Sequence, residues 1–195
     1  MDHYYQNIHG WFDYEECFKL AVNSCPENGK IVELGCWKGK SSSFLITEAF
    51  NSGKKIDISF IDTWAGSSEH TDPSSGLFEK GLAEDPDYIL DIFMENVNKV
   101  DYPKNVLRMD TFEASKLFED NSLDFVYIDT AHEYDHVSKE ILAWYPKVKI
   151  GGILAGHDIY FPEVGKAVRE YSQRCNHAVR LMATAWVTRK VFDLG

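Results

Sequence analysis

Short apolar runs alternate along the chain with longer stretches in which apolar residues recur every three or four positions. "DYEECFKLAVNSC" sets Cys17, Leu20, Ala21 and Ser24 at helical spacing, and "KIVELG" follows as a β-branched run closed by Gly35. The pair of patterns then repeats. "SSSFLITEAFNSG" predicts a helix that opens on serines able to cap and ends at Gly53, and "IDISFIDTW" predicts a second strand. Further on, "YILDIFMENVNKV" reads as a helix, "NVLRM" as a third strand, "TFEASKLF" as a short helix and "LDFVYID" as a fourth strand. "DHVSKEILAWYPKV" places Val137, Ile141, Trp144 and Val148 on one helical face. "GGILAGHD" is a fifth strand and "EVGKAVREYSQRC" a last helix, before "AVRLMAT" and "AWVTRKV" close the chain as an antiparallel pair.

Strands buried on both faces read as continuous apolar runs, so this alternation predicts a parallel sheet with helices on both faces. One interruption stands out. From Trp64 to Asp87 the chain is rich in Gly, Ser, Pro and Asp, and a loop longer than about 15 residues is usually a functional lid or disordered. Residues 64–87 are therefore expected to form a lid, and residues 1–28 an N-terminal cap and helix.

Composition narrows the partners. With 44% hydrophobic and 14% aromatic residues, 195 residues suffice for one full core. The net charge of -11, from 31 acidic against 20 basic residues, would repel a phosphate backbone, so nucleic acid and anionic membrane are poor partners. The acidic N-terminus has neither a basic n-region nor an apolar h-region, and no run approaches the roughly 20 apolar residues of a membrane span. A soluble cytoplasmic protein is the expectation, as a monomer or a homo-oligomer. Cys17, Cys25, Cys36 and Cys175 form no CxxC pair and are expected to be reduced and structural.

In a parallel sheet, ligands bind beyond the carboxyl ends of the strands, so the residues that follow each run converge on one crevice. Those residues are Glu33 to Gly39, Asp62, Asp110, Asp129 with His132, and His157 with Asp158. In "VELGCWKGKSS", Gly35 allows a tight turn and Gly39 opens a helix whose free N–H groups favour a polar or anionic ligand. Trp37 stands where GxGxxG would have its middle glycine, which argues against a dinucleotide. Asp62 is placed to accept both hydroxyls of a ribose; Asp110 either holds an adenine amino group or caps the following helix.

"GWF", "IVELGCWKGKSSS", "FIDTW", "YIDTAHEYDHVSKEILAWYPKVKIGGILAGHD" and "TAWVTRK" occur together in this order. From about Ile8 onward the chain resembles the class I S-adenosylmethionine-dependent methyltransferases, and within them the group that includes macrolide-sugar and other small-molecule O-methyltransferases. The resemblance implies a single Rossmann-like methyltransferase domain over residues 1–195, with a seven-stranded, mostly parallel sheet, a final antiparallel strand and helices on both faces. It implies that Glu33, Gly35 and Gly39 contact the methionine part of S-adenosylmethionine and that Asp62 holds its ribose. Metal-dependent sugar O-methyltransferases carry an Asp and His three residues apart after the fourth strand and two adjacent acids after the fifth. Here these positions read Asp129, His132, His157 and Asp158, so a divalent cation, Mg²⁺ or Mn²⁺, would sit on Asp129, Asp158 and His157. An imidazole in place of one carboxylate shifts preference from Mg²⁺ toward Mn²⁺ or Fe²⁺, or leaves two carboxylates alone.

The expected reaction is methyl transfer to a hydroxyl, with the cation lowering the hydroxyl's pKa and His132 taking its proton. Two other readings stay open at this point: an NAD-binding oxidoreductase, and a cofactor-binding module without catalysis. A rival account has Asp129 and Asp158 merely capping helices and His132 and His157 as hydrogen-bonded surface groups, and His3, His9, His70, His136 and His177 are expected to lack comparable partners.

Overall fold

A computed structural model describes residues 1–192. Seven strands form one sheet: β1 (Lys30–Leu34), β2 (Asp57–Asp62), β3 (Asn105–Arg108), β4 (Leu123–Ile128), β5 (Val148–Gly156), β6 (Val179–Met182) and β7 (Ala185–Arg189). Their order is β3-β2-β1-β4-β5-β7-β6. The first five run parallel; β7 pairs antiparallel with β5, and β6 with β7. The chain winds outward from β1 to β3, then returns to β4 beside β1. That reversal opens a crevice at the carboxyl ends of β1 and β4.

Eight helices surround the sheet: α1 (Glu15–Ser24), α2 (Lys40–Ser52), α3 (Ser68–Thr71), α4 (Lys80–Glu84), α5 (Tyr88–Val97), α6 (Thr111–Ser115), α7 (Tyr134–Trp144) and α8 (Pro162–Cys175). Cys17, Phe18 and Ala21 of α1, Phe44 and Leu45 of α2, and Ile89 and Phe93 of α5 pack with Ile31, Ile58 and Phe125 on one face. Val137, Ile141 and Trp144 of α7 and Val164, Val168 and Tyr171 of α8 pack with Val32, Leu34, Val126 and Leu154 on the other. Alternate residues of each strand thus feed two cores. All four cysteines are buried and free.

Two local expectations change. The serines 41–43 do not cap α2; Gly39, at φ 83°, is its N-cap, and the serines are buried inside the helix. Val148 belongs to β5, because Tyr145–Lys147 tightens into a 3-10 turn around Pro146 and ends the helical stripe at Trp144. Residues 64–87 hold two short helices, with Trp64 fully buried as their anchor. No helix among the described residues is long and apolar enough to cross a membrane.

Candidate active site

The carboxyl ends of the strands are stitched into a row by backbone bonds. Met109 N–H donates to Asp62 O, Gly35 N–H to Ile61 O, Asp129 N–H to Leu34 O and His157 N–H to Ile128 O, at 2.9 to 3.0 Å. The predicted residues therefore do share one edge. Gly35 adopts φ 79°, and a Cβ there would lie 1.7 Å from the Asp129 carbonyl oxygen. Glycine is required because the loops after β1 and β4 touch.

Glu33 points into this edge with no solvent exposure. Its Oε1 accepts from Ser41 Oγ at 2.5 Å, while Oε2 is buried with no hydrogen-bond partner. Burial raises the carboxyl from 4.5 to about 8. A ligand ammonium beside Oε2 would satisfy the orphaned oxygen and favour the ionised acid, so the residues present fit the amino-acid end of S-adenosylmethionine.

Asp62 is more occupied than a bare ribose acceptor. Its Oδ2 accepts from the N–H groups of Cys36 and Trp37 at 2.8 and 3.0 Å, and its Oδ1 from Trp64 N–H at 2.8 Å. The acid holds Trp37 at φ 48° and so shapes the loop between β1 and α2. Asp110 is the N-cap of α6, its Oδ1 accepting from Phe112 and Glu113 N–H. Capping is thus its role in this structure, and Oδ2 takes no part in it.

Further along the edge, Asp129, His157 and Asp158 offer one carboxylate oxygen, one ring nitrogen and one carboxylate oxygen within 4.8 Å of one another. His157 Nδ1 lies 3.3 Å from Asp129 Oδ1 and 3.2 Å from Asp158 Oδ2. Its Nε2 pairs with Thr184 Oγ1 at 2.8 Å, and that hydroxyl donates to Asp13. An imidazole backed in this way has a fixed orientation, which is the usual outer support of a metal-ligating histidine. Burial is the largest influence on His157 and lowers its pKa, but the bonds to and charges of Asp129 and Asp158 together outweigh it and raise the ring to about 10. Burial likewise acts to raise Asp158, yet the two imidazoles hold it well below the usual carboxylate range.

His132 stands at the mouth, its side chain 44% exposed. Nε2 pairs with Asp158 Oδ2 at 2.8 Å, and the ring stacks on Phe161 with centroids 4.6 Å apart. The bond to Asp158 raises its pKa above 6.5 against the effect of burial. Neither acid is a helix cap: α7 is preceded by Glu133 and α8 by Phe161. That removes the capping part of the rival account.

Several side chains at this edge escaped the sequence reading. Tyr14, fully buried, donates to Asp129 Oδ2 at 2.8 Å and packs its ring 4.7 Å from His157. Asp13 and Thr184 support His157 from outside. Lys38 pairs with Glu79 at 2.5 Å, and the His70 ring lies tilted over Trp37 with centroids 3.9 Å apart, tying residues 67–79 to the loop after β1. Two histidines expected to lack comparable partners have acids: His3 with Glu48 and His136 with Glu140.

The family model described as a methyltransferase domain matches residues 32–159, from β1 through the loop after β5. The chain belongs to this methyltransferase family. It is a class I S-adenosylmethionine-dependent methyltransferase, and the NAD-binding reading falls away. Among solved structures, the methyltransferase is similar to the O-methyltransferase NovP, with 16% identity, TM-score 0.65, and coverage of 91% of this chain and 79% of that one. It is also similar to the calicheamicin methyltransferase CalS11, with 17% identity, TM-score 0.61, and coverage of 90% and 76%. A Streptococcus mutans protein, SMU.1697c, in complex with SAH, shares 11% identity at TM-score 0.62, over 94% of this chain and all of that one. At such identities these likenesses establish the fold. No curated protein matches the methyltransferase in sequence.

Proposed function

We propose that the methyltransferase methylates a hydroxyl of a small molecule of sugar or natural-product type, with a divalent cation on Asp129, His157 and Asp158 and with His132 as general base. The observation that carries this reading is the cluster itself: two carboxylates and an imidazole beside a half-exposed histidine, at the ends of β4 and β5. NovP and CalS11, both similar in fold, are named as an O-methyltransferase and a TDP-rhamnose 3'-O-methyltransferase, which favours a hydroxyl acceptor.

Glu33, through Oε2, would bind the cofactor's amino group, while Asp62 keeps the loop after β1 in shape and presents its remaining acceptor capacity to a ribose. Asp110 Oδ2 would take the adenine amino group. The cofactor supplies an electrophilic methyl group, and the cation lowers the pKa of a hydroxyl bound to it. His132, with Nε2 fixed by Asp158 and its ring by Phe161, would take the acceptor's proton on Nδ1. One nitrogen and two carboxylate oxygens suit Mn²⁺ or Fe²⁺ better than Mg²⁺. Residues 64–87 would close over the bound molecules as a lid.

A methyl-transfer screen against sugar, phenolic and carboxylate acceptors, with and without chelator, tests the reading. Transfer to a hydroxyl that Mn²⁺ restores after chelation is expected; transfer to carboxylates alone, or rates blind to chelator, would overturn its acceptor and metal parts respectively.

A further inference from the structure

Among the described residues, two acids have no solvent exposure at all: Glu33, discussed above, and Glu140. Glu140 occupies the buried stripe of α7, between Val137 and Ile141, where the helical pattern calls for an apolar residue. A carboxylate placed there is costly unless it is fully bonded. It is bonded. Thr111 Oγ1 donates to Oε1 at 2.5 Å, Thr130 Oγ1 donates to Oε2, and His136 Nε2 lies 3.5 Å from Oε1.

The two threonines follow different strands: Thr111 opens α6 after β3, and Thr130 lies in the loop after β4. Thr111 follows Asp110, the cap of α6 at the end of β3, and is itself buried. Thr130 follows Asp129, whose carbonyl is the atom that Gly35 accommodates. In the sheet, β3 and β4 are separated by β2 and β1, so no backbone ladder joins these two ends directly. Glu140 spans them from below, one oxygen to each. Its own helix is anchored in the core by the buried Val137, Ile141 and Trp144.

We propose that Glu140 is a positioning residue for cofactor binding: its carboxylate fixes the spacing between the Asp110 and Asp129 loops, so that adenine-side and methyl-side contacts are made at once. This rests on the reading that S-adenosylmethionine lies along this edge. A bridge with two ends makes a specific prediction, since cutting either end releases the same constraint.

The test is calorimetric titration of the whole protein with S-adenosylhomocysteine. Thr111→Val and Thr130→Val each remove one hydroxyl at nearly constant volume. Each should weaken binding about tenfold, the scale of one lost bond to a charged group, and the double variant should be no weaker than either single one. Glu140→Leu should match the double variant, and Glu140→Gln, which still reaches both hydroxyls, should recover most of the affinity. Thermal melts identify any variant that fails to fold, and the threonine pair decides the matter if Glu140→Leu is lost that way. Wild-type affinity in both threonine variants, or losses that simply add in the double, would overturn the proposal alone. A wild-type protein that does not bind S-adenosylhomocysteine would overturn it together with the cofactor reading.

Discussion

The phenol of Tyr14 donates to Asp129 Oδ2 across 2.8 Å, joining the residue before α1 to the end of β4 over 115 positions of sequence. The N-terminal segment is therefore part of the site. Tyr14→Phe keeps the buried ring and its packing on Tyr127, and removes one bond to a charged acceptor. Turnover should fall about 10-fold to 100-fold with little change in melting temperature. Steady-state kinetics on the variant check this; an unchanged kcat would mean that His157 alone orients Asp129.

In the proposed site, Glu33 would link cofactor binding to pH. Its carboxyl titrates at about 8 in the folded state because it is buried, against 4.5 when free. Between these values the unfolded chain holds fewer protons, so the stability of the unliganded protein should fall as pH rises from 4.5 to 8. Glu33→Gln should remove that slope, melt higher than wild type at pH 8 and bind S-adenosylhomocysteine more weakly. Melting curves at pH 5 and pH 8 decide it, and parallel slopes in the two proteins would contradict the assignment.

Much of this was legible in the sequence. The alternation of apolar runs with helical stripes placed every strand but β5 within two residues, because a doubly covered parallel sheet leaves its strands little polar surface; β5 begins three residues before the predicted run. The edge residues were also legible, since Glu33 is the one acid in the apolar run of β1, Asp129 directly follows β4, and Asp158 stands two residues past β5. What could not be read were the long-range partners. Tyr14, Thr184 and Asp13 meet His157 or Asp129 through tertiary packing alone. Asp62 looked like a free acid because nothing local reveals that it accepts three backbone N–H groups. Glu140 did leave a signal: an acid in the apolar stripe of α7.

A cation on His157 must displace a proton. After burial lowers it and the Asp129 and Asp158 bonds raise it further, the ring titrates at about 10, so it is an imidazolium at neutral pH. Its ion pairs stabilise the metal-free fold fully below pH 6.5, and that contribution is lost as pH rises through 10. Mn²⁺ affinity should accordingly climb by about tenfold per pH unit between neutrality and pH 9, with one proton released per ion. Titrations in buffers of different ionisation heat measure both quantities; a flat affinity would remove His157 from the ligand set.

Residues 64–87 are tied down by the Lys38–Glu79 pair and by His70 on Trp37, both contacts falling on the loop after β1. Glu79→Gln should loosen the segment, so that limited proteolysis cuts it faster than in wild type, and S-adenosylhomocysteine should slow the cut in both. Cutting that ignores both the substitution and the ligand would make the segment an ordinary surface loop.

The central claim is that this edge transfers a methyl group to a hydroxyl with His132 as the base. Transfer of a labelled methyl from S-adenosylmethionine to the hydroxyl acceptor found by screening, followed against pH for wild type, His132→Ala and Asp129→Asn, tests it most directly. Wild type should form the methyl ether along a rate limb centred above pH 6.5, since the Asp158 bond raises His132. His132→Ala should lose that limb and about 10²-fold to 10⁴-fold in rate, while Asp129→Asn should lose its response to metal. Wild-type rates and pH profiles in both variants would contradict the account.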